Sequence, residues 1–200
     1  MPIELILAIT SFAFVTSVTP GPNNIMLTAS GANFGFVKTI PHILGIVVGV
    51  AVMNFSVGFG LGTIFEAIPV LQQILKVAGS GYLVWLALKL LSFNYVDTEQ
   101  DQEGRPLTLF QALMFQFINP KAWVMVISAN ASFSLIGEQY WPSVALIIAI
   151  FLLVGPPSMI VWILFGQWIR QFLTRPGFLR IFNMVMAFFT VSCVIFIWVG

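Results

Sequence analysis

Thr19-Pro20-Gly21-Pro22-Asn23-Asn24 interrupts an apolar run that extends from about Pro2 to Leu27, and Asn119-Pro120-Lys121 interrupts a second one. A proline inside a helix has no N–H to donate, and its ring collides with the carbonyl four residues back. Pro20 and Pro22 therefore release the carbonyls of Thr16 and Val18, and Pro120 releases that of Gln116. Each run becomes two half-helices. Proline also suits the first turn of a helix, so Pro22 and Pro120 can start second halves whose free N–H groups and positive dipole end attract an anion such as a substrate carboxylate.

The setting of the two breaks follows from composition. The chain has 200 residues, 59% hydrophobic and 8% charged, with a mean hydropathy of +1.00; soluble domains are about 45–50% apolar. This predicts an all-α, polytopic membrane protein. At about 20 residues per span plus short turns, the length accommodates about six spanning helices and no soluble domain. Broken backbone is tolerated in a bilayer only where protein buries it or a cavity receives it, so the breaks mark a candidate site.

Working outward from the breaks, apolar runs predict helices near 3–31, 39–65, 71–92, 108–131, 141–169 and 178–199. The acidic stretch Ser92–Thr108, with Asp97, Glu99, Asp101 and Glu103, is expected to be a solvated loop. It divides one transmembrane domain into a first half (1–92), a loop (93–107) and a second half (108–200). Lys38, Lys89, Arg105, Arg170, Arg175 and Arg180 fall on one side and Lys76, beside Glu66, on the other. The basic side is expected to be cytoplasmic and both termini external. Three helices per half imply that the halves insert in opposite senses, so that broken helix 1 corresponds to broken helix 4. Paired discontinuous helices in inverted halves are the best sequence pointer to a transporter's central site.

Several other features bear on packing. Gly45-x-x-x-Gly49, Gly58-x-Gly60-x-Gly62 and Gly79-x-Gly81 let helices approach closely, within the chain or across a homodimer interface. Gly155-Pro156-Pro157 predicts a third interruption, as a kink, a hinge or a site wall. The lone Cys193 reads as a small packed hydrophobe. The start Met1-Pro2-Ile3-Glu4 lacks the basic region of a secretory signal, so the first apolar stretch reads as a retained helix.

Lys121 is the charged side chain placed deepest in a span, and an intramembrane ionisable group is a functional candidate. It either meets a substrate carboxylate or cycles its proton as substrate binds and leaves, or else it is a structural ammonium held by freed carbonyls such as that of Gln116. The candidate substrate-binding set is Thr19, Pro20, Gly21, Pro22, Asn23, Asn24, Gln116, Asn119, Pro120 and Lys121. Thr16, Asn54 and Asn130 can add polar lining or form interhelical hydrogen bonds. His42, beside Pro41, is either a second proton-coupling candidate or an interfacial residue with a backbone partner.

Enzymatic motifs such as H-E-x-x-H and G-x-S-x-G are absent from the sequence, and its apolar runs bring together no metal-ligand set. No cofactor or metal is expected, and no basic stripe offers nucleic acid a footprint. The open alternatives to a metabolite exporter are an ion exporter or channel and a non-transporting membrane scaffold.

The motifs carry a resemblance. T-P-G-P-N at Thr19–Asn23, N-P-K at Asn119–Lys121, the glycines at 31, 35, 45 and 49, Gly81-Tyr82-Leu83, and Trp162 with Gly166 make the chain similar to the LysE/RhtB family of bacterial amino-acid exporters, almost end to end. The resemblance implies an inner-membrane exporter of an amino acid or related metabolite, energised by the proton motive force, as a monomer or a homodimer. It implies the two breaks as the site.

Overall fold

The computed structural model describes residues 1–61, positions 70, 73, 74, 77, 80, 81, 84, 85, 87, 88 and 91, and residues 105–173 and 176–199. The acidic loop 93–104, Glu66, Lys76, Lys89, Arg175, Gly62, Gly79 and the side chain of Cys193 lie outside the described residues. Among those described, all regular structure is helical: α1 (Ile3–Val18), α2 (Pro22–Ser56) running into a π-turn (Val57–Leu61), α3 (Leu109–Ile118), α4 (Pro120–Phe133), a 3₁₀ turn (Gly137–Gln139), α5 (Tyr140–Leu173) and α6 (Pro176–Val199). Described positions between 70 and 91 are helical too.

Among the described residues, two stretches are long and apolar enough to cross a membrane, Pro22–Gly60 and Gly137–Gln171, or three if α3 and α4 form one bent span. The first is not a rod. At Gly35 the backbone takes φ 81 and ψ 176, a left-handed conformation that an L side chain resists. The hydroxyls of Ser30 and Thr39 hydrogen-bond at 2.8 Å across that point, although nine residues of straight helix would separate them by about 13.5 Å. The chain therefore doubles back at Gly35, and α2 is two helical arms. The turn expected between residues 31 and 39 is there, compressed to one glycine and fastened by that hydrogen bond.

Close approach between arms is set by glycine. A methyl group at Gly31 or Gly166 would collide with the backbone of Ile163 or of Thr28, so the first arm of α2 lies directly on α5. Gly45 and Gly49 lie against Leu109, Ala112 and Gln116, which makes the Gly45-x-x-x-Gly49 pattern a packing device within the chain. Gly35 lies near Gln167, so Lys38 and Arg170 share one end of the molecule. The Tyr140 hydroxyl donates to the Gly58 carbonyl at 2.6 Å at the other end.

Ile9, Leu27, Ile46, Met53, Val126, Ile147 and Ile163 are fully buried where these elements meet. Leu7, Phe14, Val37, Val124, Leu153 and Val161 face outward. A core and an exterior that are both apolar suit a solvent of lipid chains.

At Gly155-Pro156-Pro157 the expected interruption is not a break of the helix. α5 stays helical through Pro156 and Pro157. Both prolines have the φ that a helix requires, and loss of two donors within a 34-residue helix packed on α1 and α2 does not break the ladder around them.

Candidate functional site

The residue before a proline is driven out of the α-region. Thr19 accordingly ends α1 in extended conformation (φ −63, ψ 141), and Asn119 does the same between α3 and α4 (φ −84, ψ 106). Pro22 and Pro120 then occupy the first turns of α2 and α4, and α3 and α4 meet at a bend of 71°. Gly21 bridges α1 to α2 with fully extended backbone (φ −173, ψ 175).

Buried carbonyls must find donors, and at the first break nearly every one is accounted for. Val15 accepts from the Thr19 N–H at 3.1 Å, and Thr16 from the Thr19 hydroxyl at 3.1 Å. Ser17 accepts from Asn24 Nδ2 at 2.8 Å, and Val18 from the Trp162 indole at 3.3 Å. Thr19 accepts from Asn24 Nδ2 at 2.9 Å and from Lys121 Nζ at 2.7 Å. Pro20 accepts from Lys121 Nζ at 3.3 Å, and Gly21 from the Ile25 N–H at 3.0 Å.

The second break follows the same pattern. The Gln116 carbonyl released by Pro120 accepts from the Asn119 N–H at 3.1 Å. Phe117 accepts from the Trp123 indole at 2.8 Å. Asn119 caps α4, its Oδ1 accepting from the Lys121 N–H at 3.1 Å. At α2 the helix start is different. No side chain caps it, and the N–H groups of Asn23 and Asn24 have no acceptor among the described residues.

The breaks are joined to each other. Lys121, on α4, reaches across to the end of α1, where its ammonium is held by the Thr19 carbonyl, the Thr19 hydroxyl at 2.9 Å and the Pro20 carbonyl. The ammonium is held by oxygens of the opposite break, those of Thr19 and Pro20, and not by the Gln116 carbonyl. This placement also answers the electrostatic problem of a cation in the first turn of α4, because Nζ sits at the negative end of the α1 dipole. Asn23 and Gln116 form a reciprocal amide pair across 93 residues, with Asn23 Nδ2 donating at 2.8 Å and Gln116 Nε2 at 3.1 Å.

Between the breaks lies a cavity of about 50 Å³. At about 10–15 Å³ for each water-sized group, it has room for a few such groups and opens to the outside. Thr16, Ser17, Asn23, Asn24, Asn119 and Lys121 make its polar side, and Met125, Phe151 and Met159 belong to its apolar side. Gly155 also lines it, so the Gly155-Pro156-Pro157 segment is a site wall. Among the described lining residues Lys121 is the one charged side chain.

Of the candidate residues, Gly21, Asn23, Asn24, Asn119 and Lys121 line the cavity. Thr19 and Pro20 supply the oxygens that hold Lys121. Pro22, Pro120 and Gln116 are not in its lining, and Gln116 is fully buried. Asn54 and Asn130 lie elsewhere, hydrogen-bonded to each other at 2.9 Å. His42 is 1% exposed, and neither ring nitrogen has a partner among the described residues, so the backbone partner expected for it is not there. It sits one turn before Gly45, on the face of α2 that packs against α3. The two indole donors, Trp123 and Trp162, escaped the sequence reading, since nothing in sequence sets an indole opposite a particular carbonyl.

With the geometry in hand, comparison with known proteins gives a consistent result. Residues 14–198 match the profile of the LysE type translocators. The chain is 27% identical over 194 residues to the cysteine/O-acetylserine efflux proteins of Escherichia coli K12, E. coli O9:H4 and Shigella sonnei, covering 96% of this chain and 96% of each relative. No solved structure matches.

Proposed function

Because this chain belongs to the LysE type translocator family, a family of membrane transporters and not enzymes, we propose that it exports a small, uncharged-side-chain amino acid across the bacterial inner membrane. The observation that carries the reading is the meeting of two broken helices around a small cavity, with one ammonium linking them. Relatives named for cysteine and O-acetylserine efflux point the same way. An uncharged side chain is favoured by Met125, Phe151 and Met159 on the apolar side of the cavity. A cationic side chain would find no carboxylate among the described lining residues.

The full arrangement we propose is one domain of six spanning helices in two inverted halves. The doubling back of α2 at Gly35 makes two spans of one stretch, and the bent α3–α4 pair makes another broken span beside α1 and the first arm of α2. Lys38 and Arg170 at a common end support a cytoplasmic side there and external termini. Export is driven by the proton motive force. Lys121, and His42 with both ring nitrogens unpartnered in the core, are the groups able to carry the proton.

The test is efflux from liposomes containing the purified chain and preloaded with labelled L-serine, L-cysteine, L-alanine or L-lysine. Release of the small neutral amino acids, and not of lysine, is expected; protein that releases none of them would remove the exporter reading. Efflux indifferent to an imposed pH gradient at clamped voltage would remove the proton coupling alone.

A further inference from the structure

The end of α1 offers three oxygens to one ammonium group: the Thr19 carbonyl at 2.7 Å, the Thr19 hydroxyl at 2.9 Å and the Pro20 carbonyl at 3.3 Å. An amino acid's α-ammonium has the same three donors and the same charge as the lysine head that occupies this cage. The neighbouring helix end is its electrical opposite. In the first turn of α2 the N–H groups of Asn23 and Asn24 lack acceptors, and the positive end of a helix dipole points there. Only Pro20 and Gly21 separate the two ends, and a Cβ on Gly21 would lie 3.0 Å from Nζ. A cation site thus adjoins an anion site across two residues of chain, and an amino acid carries one charge for each.

We propose that the oxygen cage around Lys121 is the binding site for the substrate's α-ammonium, and that Lys121 is a tethered stand-in which the substrate displaces. The assignment rests on the exporter reading above and extends it. The incoming ammonium takes the Thr19 and Pro20 oxygens, and the carboxylate takes the uncapped start of α2. The displaced lysine head, on its flexible four-carbon stem, turns to the carboxylate. When substrate leaves, Lys121 returns, so the carbonyls released by the break are never left bare inside the bilayer. The substrate must then be a zwitterion with a primary ammonium; neither charge alone suffices.

The experiment uses the full chain in liposomes, with counterflow of labelled L-serine and three competitors. Glycerate lacks the ammonium, ethanolamine lacks the carboxylate, and N,N,N-trimethylserine keeps both charges but has no N–H. In wild type each is expected to compete about tenfold or more weakly than serine, the scale of losing charge-assisted hydrogen bonds. Thermal shift then compares ethanolamine binding to wild type and Lys121→Met. With the tethered competitor gone, the variant should bind ethanolamine at least about tenfold more tightly, a gain that a merely structural lysine would not produce. Glycerate or trimethylserine competing within about threefold of serine overturns the assignment while leaving an exporter. A folded Lys121→Met with unchanged ethanolamine affinity overturns it too. If the variant does not insert, the wild-type competitor series decides. Wild type that exchanges no serine, alanine or cysteine removes the exporter reading itself, and this one with it.

Discussion

Replacing Gly21 with alanine tests whether Lys121 truly fastens the two breaks. The backbone there is extended (φ −173, ψ 175), open to any residue, so the substitution introduces no backbone strain. Its methyl would lie 2.7 Å from Lys121 Cδ and 3.0 Å from Nζ. Carbon atoms rest at about 3.5–4.0 Å, so the lysine stem must retreat by about 1 Å. That shift draws Nζ off the Thr19 oxygens at 2.7 and 2.9 Å. Two charge-assisted bonds, taken at the low end of about 1.5 kcal/mol each because Lys121 is only half-buried, come to about 3 kcal/mol. For a chain of 200 residues, this lowers the midpoint of thermal unfolding by about 6–12 °C. The assay is a double-mutant cycle in detergent with Lys121→Ala, which removes the atoms that the methyl would meet. If displacement of Lys121 is the whole effect, Gly21→Ala costs almost nothing in the Lys121→Ala background, a coupling of about 3 kcal/mol. An equal cost in both backgrounds would refute the reasoning.

Three further outcomes follow from the same structure. Gln116→Leu leaves Asn23 without its reciprocal amide partner inside the protein and should cost about 1–3 kcal/mol, read as a lowered unfolding midpoint together with reduced serine counterflow. Gly35→Ala places a Cβ at φ 81 and should cost about 1–3 kcal/mol; a midpoint equal to wild type would mean that the α2 arms are not held by that turn. Met159→Trp narrows a cavity of about 50 Å³, and counterflow should fall for serine and cysteine more than for glycine, checked by competition in one set of liposomes.

The sequence marked the breaks because proline acts locally: Thr19 and Asn119 leave the helix for a reason contained in the next residue. It also marked Lys121, because a charge far from either end of an apolar run stands out whatever the fold. What joins the breaks is not local. The partner of Asn23 lies 93 residues away, and Lys121 meets oxygens 102 residues away, so only the packing of α2 on α3 and α5 fixes which groups meet. Gly35 was visible as one of several glycines, but the positive φ that makes it the turning point was not. The burial of the His42 ring, with no partner among the described residues, is likewise set by packing and not by Pro41 beside it. The prolines of α5 remove two donors without parting the helix: a proline weakens a helix, and its neighbours decide whether it parts.

The donors that serve the first break come from several places: a threonine of the break itself, an asparagine of α2, an indole of α5 and an ammonium of α4. Mending the rod by Pro20→Ala would therefore orphan groups on distant segments instead of relieving them. The gap in this span is a joint property of four helices, and no single substitution can undo it. An engineer wishing to retune it must move a set of residues together.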